Sequence, residues 1–545
     1  MLVDQLVVHG TELCFGVPGE SYLAVLDALH DAPLRLVVTR HEGGAANMAE
    51  AYGKLTGRPG VCLVTRGPGA THASNGVHTA FQDSTPMLLL VGQVARETIG
   101  RESFQELDYR AVFGGLAKWA TQIDDAERVP ELMARAFAVA TSGRPGPVVI
   151  ALPEDMLTDE VDVPDARAHR TLAGASPRPE QIARLSDLLA AAERPVAIVG
   201  EGGWTARTGT DVAAFAEAQA VPVVASFRCQ DYVDNASPAY AGHAGLAMAP
   251  ALARRIREAD VLLAIGGRLG EIPTNGYTLV RPPVPSQRLV HVHPDPDELG
   301  AVYQTALGIA AGLEAFAAAA RTLAPVGTAR RAGLLQAARA EYEQNLREAR
   351  DLPGPLQLSA VMAALRERLP AEAILTNGAG NFSVWAHRYY EFRRYPSQLA
   401  PRSGSMGYGV PAAIAAKAVH PDRPVVCLAG DGDFMMTGQE LATAVQEELD
   451  VVVLVVNNGM YGTIRMHQER HYPGRVVGTD LRNPDFVAYA RAFGAHGTLV
   501  ERSEDVGDAL DEALACGRPA VVELRVDPQA ITPRQTLDEI RAAAT

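Results

Sequence analysis

Runs of apolar residues alternate along this chain with stretches whose apolar positions repeat at helical spacing. In the first part, Cys14-Phe15-Gly16, Leu36 to Thr39, Gly60 to Thr65 and Met87 to Val91 are such runs. They are near-continuous in apolar residues and separated by helical patterns, which predicts parallel strands buried on both faces. The pattern lapses after Pro153, where an acidic, proline-containing stretch runs to Arg178 and reads as a linker. Apolar runs resume at Pro195 to Val199, Val221 to Ala225, Asp260 to Ile265 and Leu289 to His293. An Ala/Arg/Glu-rich helical stretch from Thr328 to Arg350 stops at Pro353-Gly354-Pro355, a strong helix breaker. Further strands are expected around Ile374, Leu399, Val425, Val451 and Val521. The predicted class is α/β, with three doubly wound parallel-sheet domains over residues 1–165, 180–325 and 355–545.

A length of 545 residues suits about three or four domains. With 47% apolar and 21% charged residues, the chain has an ordinary globular composition. A net charge of −15 argues against nucleic acid or an anionic membrane as a partner. The first residues, MLVDQLVVHG, lack a basic leader pattern, and no apolar run reaches the roughly 18 residues of a membrane span. Five scattered cysteines without a CxxC pair read as small buried hydrophobes in a reducing, cytoplasmic setting.

Candidate chemistry concentrates in GDGDFMMTGQELATAVQEELDVVVLVVNN, from Gly430 to Asn458. Gly430 and Gly432 allow a tight turn around Asp431, a helix from about Gly438 carries the chain back, and the strand Val451 to Val456 delivers Asn458 beside Asp431. A carboxylate and an amide carbonyl are hard oxygen ligands. Mg²⁺ takes near-octahedral oxygens at about 2.0–2.1 Å, shared between carboxylates and substrate phosphates. GDG alone fits an ordinary strand-turn-helix-strand unit, but the acidic turn, second strand and terminal NN together fit a metal–diphosphate clamp. Glu42, in VVTRHEGGAA, stands at a strand-to-helix junction, where ligands of open α/β sheets gather. Position alone also suits a first-turn acid favoured by the helix dipole by roughly a few tenths of a kcal/mol. Gly200-Glu201-Gly202-Gly203 departs from GxGxxG and supports dinucleotide binding only weakly. His291 and His293 share one strand face and, without a third ligand, read as satisfied polar residues.

GDG followed at this distance by NN resembles the signature of thiamine diphosphate-dependent enzymes. The resemblance implies that Asp431, Asn458 and the carbonyl of Met460 hold the metal. Gly430, Gly432, Asp433, Tyr461, Gly462 and Thr463 would then line the cofactor site. His41 to Ala49 is similar to the family's HE-xx-A-xx-M-A context, so Glu42 is implied to hydrogen-bond the aminopyrimidine ring and favour its imino form. In SGSMGYG, Ser403 to Gly409, Met406 matches the large aliphatic under the bent cofactor, with backbone groups of Gly404 and Met406 reading the pyrimidine edge. The family builds its sites between subunits. A homodimer or homotetramer is therefore implied, with a pyrimidine-binding first domain, a Rossmann-like centre and a diphosphate-binding third domain.

The longest local resemblance is to acetolactate (acetohydroxyacid) synthase large subunits. FGVPGE (Phe15 to Glu20), GPGATHASNGVHTAFQDSTP (Gly67 to Pro86), SFQELD (Ser103 to Asp108), LAKWA (Leu116 to Ala120), GRPGPVVIALPEDM (Gly143 to Met156) and NPDFVAYARAFGA (Asn483 to Ala495) are all similar to its segments. In that group Gln105 and Lys118 would line the substrate channel. An amide can hydrogen-bond a keto oxygen, and an ammonium can draw in a 2-oxo acid. His467 stands where the synthases carry an acceptor-selecting Trp, and Arg268 to Pro273 replaces their flavin-contacting run. The acceptor and FAD binding are therefore left open, with any FAD a relic. The implied activity is decarboxylation of a pyruvate-like 2-oxo acid and transfer of the resulting carbanion equivalent to a second carbonyl. A 2-oxo acid decarboxylase or 2-hydroxyacyl lyase, and an idle cofactor-binding regulatory subunit, are the alternatives.

Overall fold

The computed structural model describes residues 1–168 and 174–544. The middle of the expected linker, 169–173, and the last residue of the third expected domain lie outside the described residues. Strands β1 (Leu13–Gly16), β2 (Arg35–Val38), β3 (Gly60–Val64), β4 (Met87–Gln93), β5 (Trp119–Gln122) and β6 (Pro147–Pro153) form one sheet in the order β2-β1-β3-β4-β6-β5. A second sheet holds β7 (Pro195–Val199), β8 (Val223–Ser226), β9 (Tyr240–Ala244), β10 (Val261–Ile265), β11 (Arg288–His293) and β12 (Leu307–Ala310), ordered β12-β11-β10-β7-β8-β9. The third contains β13 (Ile374–Asn377), β14 (Gln398–Leu399), β15 (Val425–Gly430), β16 (Val452–Asn457), β17 (His496–Val500) and β18 (Ala520–Arg525), ordered β14-β13-β15-β16-β18-β17. Every strand pair is parallel. The α/β, three-sheet class expected from the apolar runs is the observed one.

The sequence pattern misses β5, β9, β12 and β17, all at sheet edges, and also β6. An edge strand has a neighbour on one side only, so its sequence need not be a continuous apolar run; β5 is half-buried throughout. The fully buried β6 begins and ends in proline, which masks it. The helical stretch before Pro353 is present as Ala332–Arg347. His291 and His293 are buried as expected, with His291 Nε2 2.9 Å from the Gly267 carbonyl and His293 Nδ1 accepting from the Asp295 amide at 3.0 Å. Four of the five cysteines are buried and all are free. Among the described residues no helix is long and apolar enough to cross a membrane.

Small residues set how the layers approach. A Cβ at Gly60 would lie 1.9 Å from the Ala49 carbonyl oxygen, and one at Gly76 would lie 2.4 Å from the Ala46 Cβ. These glycines seat helix Glu42–Thr56 against β3 and against helix Gly67–Asp83. The alanines of Glu42–Thr56 share one core with those of Gly409–Val419, so the first and third units of a single chain are packed together. Buried polar contacts pin that junction. Tyr408 donates to the Glu50 carboxylate, and the Arg40 amide donates to Glu440 Oε2 at 3.1 Å.

Candidate functional site

Adjacent parallel strands bring the two ends of the Gly430–Asn458 stretch together. β15 and β16 pair with Gly430 opposite Val456, so the chain leaves both strands at neighbouring points of the same sheet edge. Asp431, 3% exposed, begins a short helix there. Its Oδ1 accepts from the Gly432 amide at 3.0 Å, and its Oδ2 accepts from the Gly459 amide at 2.9 Å and from Asn483 Nδ2 at 2.7 Å. Burial pushes the Asp431 carboxyl up, and the Asn483, Gly432 and Gly459 donors oppose that. Asn483 also donates to Asn457 Oδ1 at 3.0 Å. Asn483 was missed as a site residue; the only signal for it is its place at the head of the NPDFVAYARAFGA run.

These groups open into a cavity of about 240 Å³ lined by residues between Ala379 and Ile464. Gly404, Met406, Gly430, Asp431, Gly432, Asp433, Asn458, Met460, Tyr461, Gly462 and Thr463 all reach it. Asp431, Asn458 and the Met460 carbonyl offer oxygen donors, the set a hard divalent cation takes, and the glycines leave room for a diphosphate. A Cβ at Gly432 would come within 2.5 Å of the Tyr461 ring. The residues present thus fit a Mg²⁺–diphosphate group. Asp433 has a structural task as well: its Oδ1 accepts from the Ala379 amide at 3.0 Å and the Gly407 amide at 2.9 Å. It thereby ties the Met406 loop to the loop after β13.

Met406 is half-buried on a loop with positive φ at Gly404 (71°) and Gly407 (80°), backbone that glycine adopts without a Cβ penalty. Three units hold this loop. Asn75 Nδ2 donates to Ser405 Oγ at 2.9 Å, the Arg402 amide donates to Asp83 Oδ1 at 2.9 Å, and Arg228 donates to the carbonyls of Pro401 and Gly378.

Glu42 begins helix Glu42–Thr56, whose N-cap is His41. It is not among the residues lining the 240 Å³ cavity of the same chain. Its partner is His72, which the sequence reading did not single out, with Nδ1 2.9 Å from Glu42 Oε2. Gln105 is half-buried with φ 66°, and its carbonyl accepts from the Gly67 amide at 2.9 Å. This ties its loop to the helix that carries His72. Lys118 is not brought to the cavity. Its Nζ donates to the carbonyls of Val139 at 2.6 Å and Ser142 at 2.7 Å, at the end of helix Val129–Thr141, and burial lowers the ammonium to about 8. His467 is exposed on helix Gly462–His471, one turn beyond Ile464, which does line the cavity. In the middle unit, Arg268 donates to Glu201 Oε2 at 2.6 Å and to the Gln82 carbonyl at 2.8 Å. Trp204 Nε1 donates to the Gly200 carbonyl at 2.9 Å.

Three parallel-sheet units, with an acidic turn and an Asn-bearing strand end meeting at one cavity, define a thiamine diphosphate-dependent enzyme. Family profiles agree with that assignment. Residues 1–112 match the N-terminal thiamine pyrophosphate-binding domain, 182–320 the central domain and 378–524 the C-terminal thiamine pyrophosphate-binding domain of thiamine pyrophosphate enzymes. The chain belongs to the acetolactate synthase-like large-subunit branch of that family. It is 30% identical over 537 residues to the acetolactate synthase isozyme 2 large subunit of Escherichia coli, covering 96% of this chain and 95% of the relative. With the acetolactate synthase large subunit of Parasynechococcus marenigrum it is 32% identical over 540 residues, 96% of this chain and 86% of the relative. The Corynebacterium glutamicum large subunit is 31% identical over 549 residues, 97% and 86% respectively.

Proposed function

We propose that this protein is a carboligase that decarboxylates a pyruvate-like 2-oxo acid and joins the remainder to a second carbonyl compound. In balance, the carboxylate leaves as CO₂, a carbon–carbon bond forms at the acceptor carbonyl, and the acceptor oxygen takes a proton. Bound thiamine diphosphate supplies the nucleophilic carbon and the electron sink. Asp431, Asn458 and the Met460 carbonyl hold Mg²⁺, and the glycines around Asp431 admit the diphosphate. Met406 would support the cofactor from below, Gly404 would offer backbone to its pyrimidine edge, and Glu42 would share a hydrogen bond with the ring nitrogen. Gln105 and His467 would orient the acceptor. Lys118 is assigned to the helix end that it caps. Carboligation needs no net redox, so FAD receives no chemical step, and Arg268 is already committed to Glu201.

The observation that carries the reading is the convergence of Met406, Asp431, Asn458 and Met460 on one cavity whose lining comes wholly from the third unit. Glu42 lies on the first unit and outside that lining. The proposal therefore completes each site with Glu42 from a second copy, in a homodimer or homotetramer. In this arrangement residues 1–165 supply the pyrimidine side and 355–545 the diphosphate side. The test is incubation with 2-oxo acids, thiamine diphosphate and Mg²⁺, reading CO₂ and products by mass spectrometry. A 2-hydroxy-2-alkyl-3-oxo acid product supports the proposal. Free aldehyde alone would replace it with the decarboxylase reading, and no CO₂ from any 2-oxo acid would overturn both.

A further inference from the structure

Glu42 is held from outside its own helix, and the holder is an imidazole. His72 sits on the second turn of helix Gly67–Asp83 with its Nδ1 2.9 Å from Glu42 Oε2. Its ring stacks on His41, with centroids 4.5 Å apart and planes 28° from parallel. His41 is itself fixed, because its Nδ1 accepts the Gly43 amide at 3.0 Å as the cap of the Glu42 helix. The stack therefore clamps the His72 ring between a capped histidine and a carboxylate. Burial, followed by the neighbouring His72, holds His41 below the ordinary imidazole range. His41 therefore stays uncharged beside the pair.

We infer that His72 is the positioning residue for Glu42: it binds Oε2 and leaves Oε1 as the oxygen presented to the cofactor ring nitrogen. The inference rests on the reading of Glu42 given under Proposed function. One further feature supports the division of labour between the oxygens. A Cβ at Gly69 would be 3.4 Å from Glu42 Oε1, so that oxygen is flanked by a residue with no side chain. A carboxylate with one oxygen held by an N–H donor has one rotamer and one free acceptor, the preorganisation that proton transfer to a fixed ring needs. The other ionisable groups that face Glu42 are His41, Tyr22 and Cys62, and burial pushes the Tyr22 hydroxyl and the Cys62 thiol up. Neither acid is ionised near neutral pH, so His72 is the hydrogen-bond partner that holds the carboxyl.

The test compares His72→Asn, whose amide nitrogen can replace Nδ1 as donor, with His72→Phe, which keeps the stack and loses the donor. Two measurements are made. Ring ¹⁵N shifts of the cofactor-free chain, read against Glu42→Ala, report whether the Nδ1–H tautomer of His72 depends on the carboxylate. Hydrogen–deuterium exchange at C2 of thiamine diphosphate bound to the full chain with Mg²⁺ reports Glu42 at work. The expected result is an Nδ1–H tautomer lost in Glu42→Ala, exchange slowed about 10²-fold or more in His72→Phe, and recovery to within tenfold in His72→Asn. Exchange in His72→Phe equal to the parent, or a tautomer indifferent to Glu42→Ala, would overturn the inference. Absence of C2 exchange in the parent would instead sink the reading of Glu42 itself.

Discussion

Asn483 touches no expected ligand of the cofactor except through Asp431, which makes it a clean probe of the metal clamp. Its Nδ2 lies 2.7 Å from Asp431 Oδ2, one of three donors to a carboxylate that is 3% exposed. Asn483→Ala removes one hydrogen bond to a charged group, worth about 1.5–3 kcal/mol. At about 1.4 kcal/mol per tenfold, that converts to a roughly 10- to 100-fold weaker hold on Mg²⁺. The range is also typical when a residue orienting a metal ligand is lost. The assay is Mg²⁺ titration of metal-free protein at saturating thiamine diphosphate, followed by calorimetry. Urea unfolding in chelator verifies that the fold is intact. The expected result is a shifted half-saturation point with an unchanged plateau. Half-saturation within threefold of the parent, in a folded variant, would refute Asp431 as a ligand oriented by Asn483.

Gly60→Ala drives a Cβ to 1.9 Å from the Ala49 carbonyl oxygen and should cost about 1–3 kcal/mol in urea unfolding; Gly57→Ala, which meets no atom within 4 Å but has φ 68°, should cost about 1 kcal/mol. Burial lowers His243 and His291 to about 4 from the ordinary 6.5. Below pH 6.5 the unfolded chain takes up protons that the folded chain refuses, so stability should be full above pH 6.5 and fall as pH drops toward 4. His291→Gln should flatten that fall in a melting series, and an unchanged slope would remove His291 from the account. Lys118→Met should lower stability by about 1–3 kcal/mol through the lost charged donor and leave the KM for the 2-oxo acid within twofold. A tenfold rise in KM would return Lys118 to the substrate channel.

The class of fold and one half of the site could be read from the amino-acid order. Near-continuous apolar runs such as Met87–Val91 and Val451–Val456 suit strands covered on both faces, which favours parallel sheets with helices on either side. The candidate diphosphate side was legible because Gly430 to Thr463 is nearly one continuous piece of chain: two adjacent strands and their turns bring Asp431 and Asn458 together, and the family resemblance adds Met460. Edge strands such as β9 and β17 were not legible, since pairing on one side leaves no continuous apolar signature. Contacts between stretches of chain far apart in sequence were closed to it for a different reason. The Asn483–Asp431, His72–Glu42 and Asp83–Arg402 pairs join residues whose distance along the chain says nothing about their distance in space. For Lys118 the sequence offers only its LAKWA neighbours, and the fold adds that its Nζ donates to two carbonyls at the end of Val129–Thr141. Sequence determined which side chains could do the chemistry. The packing of three sheets decided which polar groups those side chains spend their hydrogen bonds on, because burial leaves no water to take the place of a missing partner.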